Sequence, residues 1–126
     1  MLLFCLPKGL DLTLNDGKWA EAIRLLREQF ENEYSGLFEG FSFVERSPAF
    51  PYCQQVSGFL TWILLGIVET IHRAGSSRMR VIDTAREESL RYYESRVGEQ
   101  ERAAIKEMAS WLVTNERTRQ LLVVPS

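Results

Sequence analysis

The longest apolar run of the chain covers residues 56–68, and it is hydrophobic on nearly every side at helical spacing. A helix of this kind is typically buried at the centre of a domain. We therefore predict a central helix over residues 54–73, ended by Ala74 and Gly75. Crossing a bilayer takes about 20 apolar residues, so the run is too short for a membrane span.

Three further stretches show an apolar face at helical spacing. The first predicts a helix over residues 18–34, capped by Asn15 or Asp16. Its apolar face consists of Trp19, Ile23, Leu26 and Phe30. The other two predict a helix from Ser76 or Ser77 to about Val97 and a helix over residues 99–119. Their apolar faces are Met79, Ile82, Leu90, Tyr93 and Val97 in one, and Ala104, Ile105, Met108, Trp111 and Leu112 in the other.

The N-terminal residues follow a different period. Leu10, Leu12 and Leu14 alternate with polar residues, which is typical of a strand. Together with the apolar residues 2–6, they predict either a short hairpin or an extended arm laid over the helices.

These patterns predict a mainly α fold with one domain over residues 1–126. About four helices would form a bundle around the buried central helix. The alternative is an α+β fold with a small sheet. Its strands would come from residues 2–6, 10–14, 41–44 and 121–124.

Composition narrows the class of protein. Hydrophobic residues make up 45% of the 126 residues and charged residues 25%, as in ordinary globular domains. A net charge of −2 gives no overall field to attract nucleic acid or a membrane surface. Two distant cysteines without a CxxC motif favour free thiols in a reducing compartment. Because the apolar start lacks a preceding basic residue, it is not a signal peptide, and we expect a cytoplasmic protein.

One pair of residues has the spacing of a metal site. Glu69 and His72 would share one face of the central helix, as carboxylate and imidazole do in di-iron carboxylate bundles. Such a site needs two of these pairs and two further carboxylates, and the chain has one histidine. A symmetric dimer with Glu33 from each first helix would complete it. The alternative is that both residues mark the solvated end of a buried helix.

A basic, hydroxyl-rich turn precedes the predicted third helix. Free N–H groups at a helix N-terminus together with arginines would bind a phosphate or a nucleic-acid backbone. Against this, arginines on a solvated turn are common, and no phosphate-binding loop motif is present. The candidate anion-binding residues are Arg73, Ser76, Ser77, Arg78 and Arg80.

The irregular segment 36–53 is rich in aromatic residues. Aromatic side chains bring large contact area at low entropic cost, so they are candidate anchors for a protein partner. They are equally suited to cover the core of the domain itself. The candidate partner-binding residues are Phe38, Phe41, Phe43, Phe50 and Tyr52.

No arrangement of residues predicts catalysis. Cys53 and His72 would lie at opposite ends of a helix about 30 Å long, and no Ser-His-Asp pattern is indicated. We therefore expect a non-enzymatic protein without a cofactor that binds a protein partner, as an adaptor, an inhibitor or immunity-type factor, or an assembly subunit, or that self-associates. The alternatives are a dimeric carboxylate–histidine metalloprotein and a nucleic-acid-associated subunit.

Overall fold

The computed structural model of the protein describes residues 1–73 and 76–125. About 59% of the described structure is helical and 14% is in strands, so the fold is a mixed α+β arrangement. The fold is mostly helical but is not the predicted four-helix bundle, and the α+β alternative agrees with the structure in outline.

Six α-helices and five strands lie within the described residues. The helices are α1 (Leu2–Cys5), α2 (Asp16–Tyr34), α3 (Gln54–Ile63), α4 (Asp83–Glu94), α5 (Glu99–Thr114) and α6 (Glu116–Leu122). The strands are β1 (Leu12–Thr13), β2 (Phe43–Val44), β3 (Tyr52–Cys53), β4 (Val68–Arg73) and β5 (Ser76–Val81). A 3₁₀ turn over Ser35–Phe38 follows α2.

The central helix of the fold is α2. It begins as predicted, because the side-chain Oδ1 of Asn15 accepts a hydrogen bond from the backbone N–H of Lys18 at 3.0 Å. It packs against α3, α5 and α6. Its predicted apolar face is buried, together with two alanines, and consists of Trp19, Ala20, Ala22, Ile23, Leu26 and Phe30.

The predicted helix over residues 54–73 is wrong in its second half. Helix α3 ends at Ile63, and β4 pairs with β5 in an antiparallel hairpin. Several residues after Gly66 are β-branched, which favours strands, and Val68, Met79 and Val81 alternate with polar residues as a half-buried sheet requires. The predicted stop at residues 74–75 lies outside the described residues.

The two C-terminal helices also differ from their predicted bounds. Helix α4 begins only at Asp83, because the residues expected in its first turns belong to β5. The predicted helix over residues 99–119 is divided at Asn115. The Asn115 side chain accepts a hydrogen bond from the backbone N–H of Thr118 at 3.2 Å, which starts α6 as a new helix.

The main sheet has the strand order β1-β5-β4 and is antiparallel. The buried Leu12 lies opposite Met79, and Val123 bridges to Leu12 from the other side. Of the four segments in the predicted sheet, 10–14 and 41–44 contain strands. Residues 2–5 instead form helix α1. In the segment 121–124, Leu121 and Leu122 end α6, and Val123 makes the isolated β-bridge to Leu12. Strands β2 and β3 form a separate two-stranded sheet.

Two observations concern the predicted reducing compartment and the predicted absence of a membrane span. Cys5 and Cys53 are both free thiols, and burial raises the pKa of the Cys5 thiol above its ordinary value. None of the helices in the described part of the chain has the length and hydrophobicity that spanning a membrane requires.

Two glycines near α3 give opposite predictions for replacement by alanine. Gly66 has a φ of +137°, which L-residues rarely adopt, so Gly66→Ala is expected to lower the free energy of unfolding by about 1–3 kcal/mol. Gly58 lies inside α3 with nothing within 4 Å of an added Cβ, so Gly58→Ala is expected to raise it by about 0.5–1 kcal/mol. Urea denaturation of both variants checks the signs, and equal signs would contradict the backbone assignment.

Candidate binding site

Large apolar side chains remain exposed on α3 and the turn that follows it. Leu65 is 82% exposed, Trp62 49%, Leu64 48% and Phe59 37%. We call these four residues the α3 patch. They belong to the run that the sequence predicts as a buried central helix, so the expectation of burial is wrong for them.

The spacing along α3 explains this exposure. Val56, Leu60 and Ile63 are separated by four and three residues and turn one face of the helix to the core. Phe59 lies at the margin of that face and Trp62 lies further round the helix. Their rings contact each other with centroids 5.9 Å apart. The helix is therefore amphipathic without having charged residues on its outer side.

The chain segment that carries the patch has no formal charge. No Asp, Glu, Lys, Arg or His occurs from Ser47 to Val68. Protein surfaces normally mix both signs of charge with isolated apolar residues. An uncharged segment with several exposed apolar side chains indicates a contact surface rather than a solvated one.

An apolar pocket lies beside the patch and has a volume of about 360 Å³. Helix α1, helix α2, helix α3 and the segment after the 3₁₀ turn each form part of its wall. Phe59 belongs both to this wall and to the α3 patch, so the pocket reaches the surface there. The lining residues are Met1, Leu2, Leu3, Trp19, Ile23, Phe41, Gln55, Val56, Phe59 and Leu60.

A smaller cavity of about 170 Å³ extends the pocket towards α5. The two share four lining residues, so they are neighbouring parts of one apolar region between the helices. The shared residues are Met1, Leu2, Ile23 and Phe41. The combined size falls within the range of about 300–1,000 Å³ that is typical of ligand sites.

Gln55 is the polar side chain in the wall of the pocket. Its Oε1 accepts hydrogen bonds from the backbone N–H of Ser42 and from the Cys53 thiol, both at 3.3 Å. These contacts tie the segment after the 3₁₀ turn to the start of α3. The same segment carries Phe41, so Gln55 helps to position one wall of the pocket.

The structure distributes the predicted aromatic anchors between the core and the surface. Phe38 is 8% exposed and belongs to the core, whereas the other four are half-buried. Phe41 lines the pocket. Phe50 packs at the start of α2, where a Cβ added at Gly17 would lie 3.0 Å from the Cβ of Phe50. A role in partner binding stays a prediction for these residues.

Two of the half-buried aromatic rings are covered by arginines. The Arg27 guanidinium lies 4.7 Å from the centroid of the Phe43 ring, and Arg46 lies 4.5 Å from that of Tyr52. Their outer faces are therefore less available to a partner than the faces of Phe59 and Trp62.

The predicted basic turn is a strand rather than the start of a helix. The side chains of Arg73 and Ser76 lie outside the described residues, and Ser77 is exposed. Because β5 occupies residues 76–81, the helix N-terminus on which the predicted anion site depended is absent there. The anion site stays a prediction without that support.

Both described arginines of this group bind an acidic residue that the sequence analysis missed. Asp11 is 7% exposed, and its carboxylate accepts hydrogen bonds from Arg80 at 2.6 and 2.9 Å and from Arg78 at 3.3 Å. Arg78 also donates to the carbonyl of Pro125 at 2.8 Å. These arginines hold the pKa of the Asp11 carboxyl below its ordinary value. A separation of 67 and 69 residues leaves no local signal for these pairs.

The predicted metal pair does not share a face. Glu69 and His72 lie on β4, where residues three apart point to opposite faces of the sheet. His72 Nδ1 lies 2.7 Å from the Ser77 hydroxyl. Within residues 1–73 and 76–125, no group of three or more His, Cys, Asp or Glu residues could hold a metal ion. The helical geometry assumed for a carboxylate–histidine site is therefore wrong.

Comparison with known proteins identifies no relative: no family model, no curated protein and no solved structure matches the chain. The class of protein is therefore inferred from its own geometry.

Proposed function

We propose that the protein is a non-enzymatic binding module that accepts an apolar segment of a partner protein in the pocket between α1, α2 and α3. The observation that supports this most strongly is a pocket with almost wholly apolar walls, whose lining includes the exposed Phe59 of the α3 patch. Binding energy at protein interfaces is concentrated where an apolar anchor enters a desolvated pocket.

The absence of charged side chains in the described wall of the pocket indicates which kind of partner segment it can accept. Among the described residues, no charged side chain lines the pocket, and the adjoining segment from Ser47 to Val68 is uncharged. Met1 is part of the lining, and burial lowers the pKa of its α-amino group, which favours the uncharged form. A charged partner group would lose its hydration there without gaining an opposite charge from a side chain. The expected partner segment is therefore an amphipathic helix whose Leu, Phe or Trp side chains enter the pocket.

The two free thiols support a cytoplasmic setting for this interaction. A nucleic-acid-associated role has less support. Arg78 and Arg80 already bind Asp11. The cavity beside Arg80 is lined by Glu69 and Asp83 as well as by basic residues.

Two adjacent glutamines provide a matched test. Gln55→Glu adds a charge to the wall of the pocket while keeping the oxygen that accepts from Ser42 and Cys53. Gln54→Glu adds the same charge one residue earlier in the first turn of α3, outside the pocket wall. Amphipathic helical peptides selected from a random display library against the wild-type protein are the probe. Gln55→Glu is expected to weaken peptide binding about tenfold or more, or about 1.4 kcal/mol.

Calorimetric titration of one such peptide into both variants measures the difference. Gln54→Glu should bind as the wild type does, and both variants should unfold at nearly the wild-type temperature. Equal affinity of the two variants would contradict the pocket as the binding site. If the library yields no peptide and a small aliphatic molecule binds the pocket, the ligand is a small molecule and the proposal of a protein partner is wrong.

A further inference from the structure

Strand β4 forms an edge of the main sheet. The backbone N–H of Ile82 donates to the carbonyl of Ile67 at 3.0 Å, which continues the ladder one residue beyond the paired strands. Since paired residues alternate in an antiparallel ladder, Val68, Thr70 and His72 direct their backbone N–H and C=O groups away from β5. Within the described residues, no backbone hydrogen bond reaches these outward groups.

This edge lacks the backbone features that usually block strand addition. The strand is six residues long, without a proline, glycine or bulge. Its residues Glu69, Thr70 and His72 are exposed, so the edge is not covered by another element. Unpaired backbone groups along an exposed edge are a template for another strand.

The sequence of β4 is complementary to itself in one antiparallel register. In an antiparallel pair, directly opposed residues have their side chains on the same face of the sheet. Two copies of one strand meet this condition only when the two-fold axis between them passes through a residue position of the strand. An axis at Ile71 places Glu69 opposite Arg73 of the second copy, and by symmetry the same pair forms twice. An axis at Thr70 would instead oppose Glu69 to an isoleucine. Charge matching therefore selects the register centred on Ile71.

We propose that β4 is a self-association site, at which a second copy of this chain adds its own β4 antiparallel with Ile71 opposite Ile71. Thr70 and His72 of the two copies then exchange the outward backbone hydrogen bonds. No residue of β4 lines the apolar pocket, so this surface is separate from the proposed partner site. The result is a continuous sheet of six strands across two copies.

Two charge reversals test this register. Glu69→Lys places a lysine opposite Arg73 of an identical copy, and Arg73→Glu places a second glutamate opposite Glu69. Each variant alone is therefore expected to be monomeric at concentrations where the wild type is a dimer. An equimolar mixture should form heterodimers, because each new charge then meets its opposite. Sedimentation velocity over a hundredfold range of concentration measures the wild type, the two variants and their mixture.

Matched controls separate this effect from a change in net charge. Glu88→Lys and Arg91→Glu make the same charge changes at exposed positions of α4 and should dimerise as the wild type does. Thermal unfolding of each variant checks the fold, since the lysine introduced by Glu69→Lys would also lie opposite Arg80 within the hairpin.

A third variant tests the strand pairing itself. In Thr70→Pro the lost N–H points away from β5, so the hairpin persists while the dimer is lost. A wild-type protein that stays monomeric throughout would overturn the proposal. So would single reversals that dimerise normally, or a mixture of the two that stays monomeric. A wild type that is monomeric would leave the pocket and its peptide test unaffected.

Discussion

Asp11→Ala is expected to lower the free energy of unfolding by about 3 kcal/mol, the lower end of the range for removing one partner of a buried ion pair. Asp11 and Arg78 are both buried, and Arg80 binds the same carboxylate. The substitution removes the negative charge that both guanidinium groups approach. The substitution keeps the backbone carbonyl of residue 11, which accepts from the Val124 N–H at 2.8 Å, so the expected loss comes from the side-chain ion pairs alone.

Urea denaturation of Asp11→Ala and Glu28→Ala measures this effect against a surface pair. Glu28 binds Arg24 at 2.6 Å but its side chain is 57% exposed, so its removal should cost no more than about 1 kcal/mol. An Asp11 variant no less stable than the Glu28 variant would show that the Asp11 ion pairs contribute little.

The stability difference between the wild type and Asp11→Ala is expected to depend on pH in a defined direction. The pKa of Asp11 is lowered in the folded protein, chiefly by the hydrogen bond from Arg80. Its contribution is therefore complete above the ordinary aspartate pKa of about 3.9 and is lost as pH falls through the lowered folded pKa. The stabilities of the wild type and of Asp11→Ala should converge in strong acid and differ fully near neutral pH.

Arg86→Ala is expected to destabilise the protein by about 2–4 kcal/mol and to weaken peptide binding. Arg86 is 4% exposed, and its Nη1 donates to the carbonyl of Phe4 at 2.8 Å and to that of Leu6. Burial lowers the pKa of its guanidinium. Each buried carbonyl left without a donor costs about 1–3 kcal/mol. The two carbonyls belong to the end of α1, whose Leu2 and Leu3 line the pocket.

Arg91→Ala on the same helix is the matched control for this prediction. Arg91 is exposed, so its removal should change the stability by no more than about 0.5 kcal/mol. Urea denaturation and peptide titration, made at a temperature where all variants are folded, measure both effects. A normal affinity in Arg86→Ala would contradict the inference that Arg86 positions the α1 wall.

The sequence predicts the elements whose signals are local. Helix α2 has both a regular apolar face and an asparagine cap, and the structure confirms both. The apolar stripe of α5 is likewise confirmed, because Met108 and Leu112 are buried at helical spacing. In such segments the period of the pattern and the end signals indicate the same structure.

The segment from Leu64 to Val81 shows where local signals fail. Short apolar runs do not distinguish a buried helix from a strand followed by a turn. Gly66 and the β-branched residues after it favour a strand. This local preference determines the structure only together with the pairing of β5 with β4 and with β1. That pairing depends on tertiary contacts, which a single sequence does not display.

The candidate site was only partly accessible to sequence reasoning. Phe41 is among the predicted aromatic anchors and does line the pocket. Phe59 and Trp62 were expected in the core, because a fully apolar helix was assumed to be covered on every side. The pocket joins residues of α1, α2 and α3 that are far apart in the chain, so no spacing in the sequence indicates it.

Methyl-selective NMR tests most directly whether an apolar partner segment binds in the pocket between α1, α2 and α3. The wild-type protein, labelled at its Met, Leu, Ile and Val methyl groups, is titrated with a selected amphipathic peptide. The account predicts shift changes concentrated at Leu2, Leu3, Ile23, Val56 and Leu60, with smaller changes at Leu121 and Leu122, which do not line the pocket. Shift changes confined to other surfaces, with the pocket methyl groups unmoved, would contradict the account.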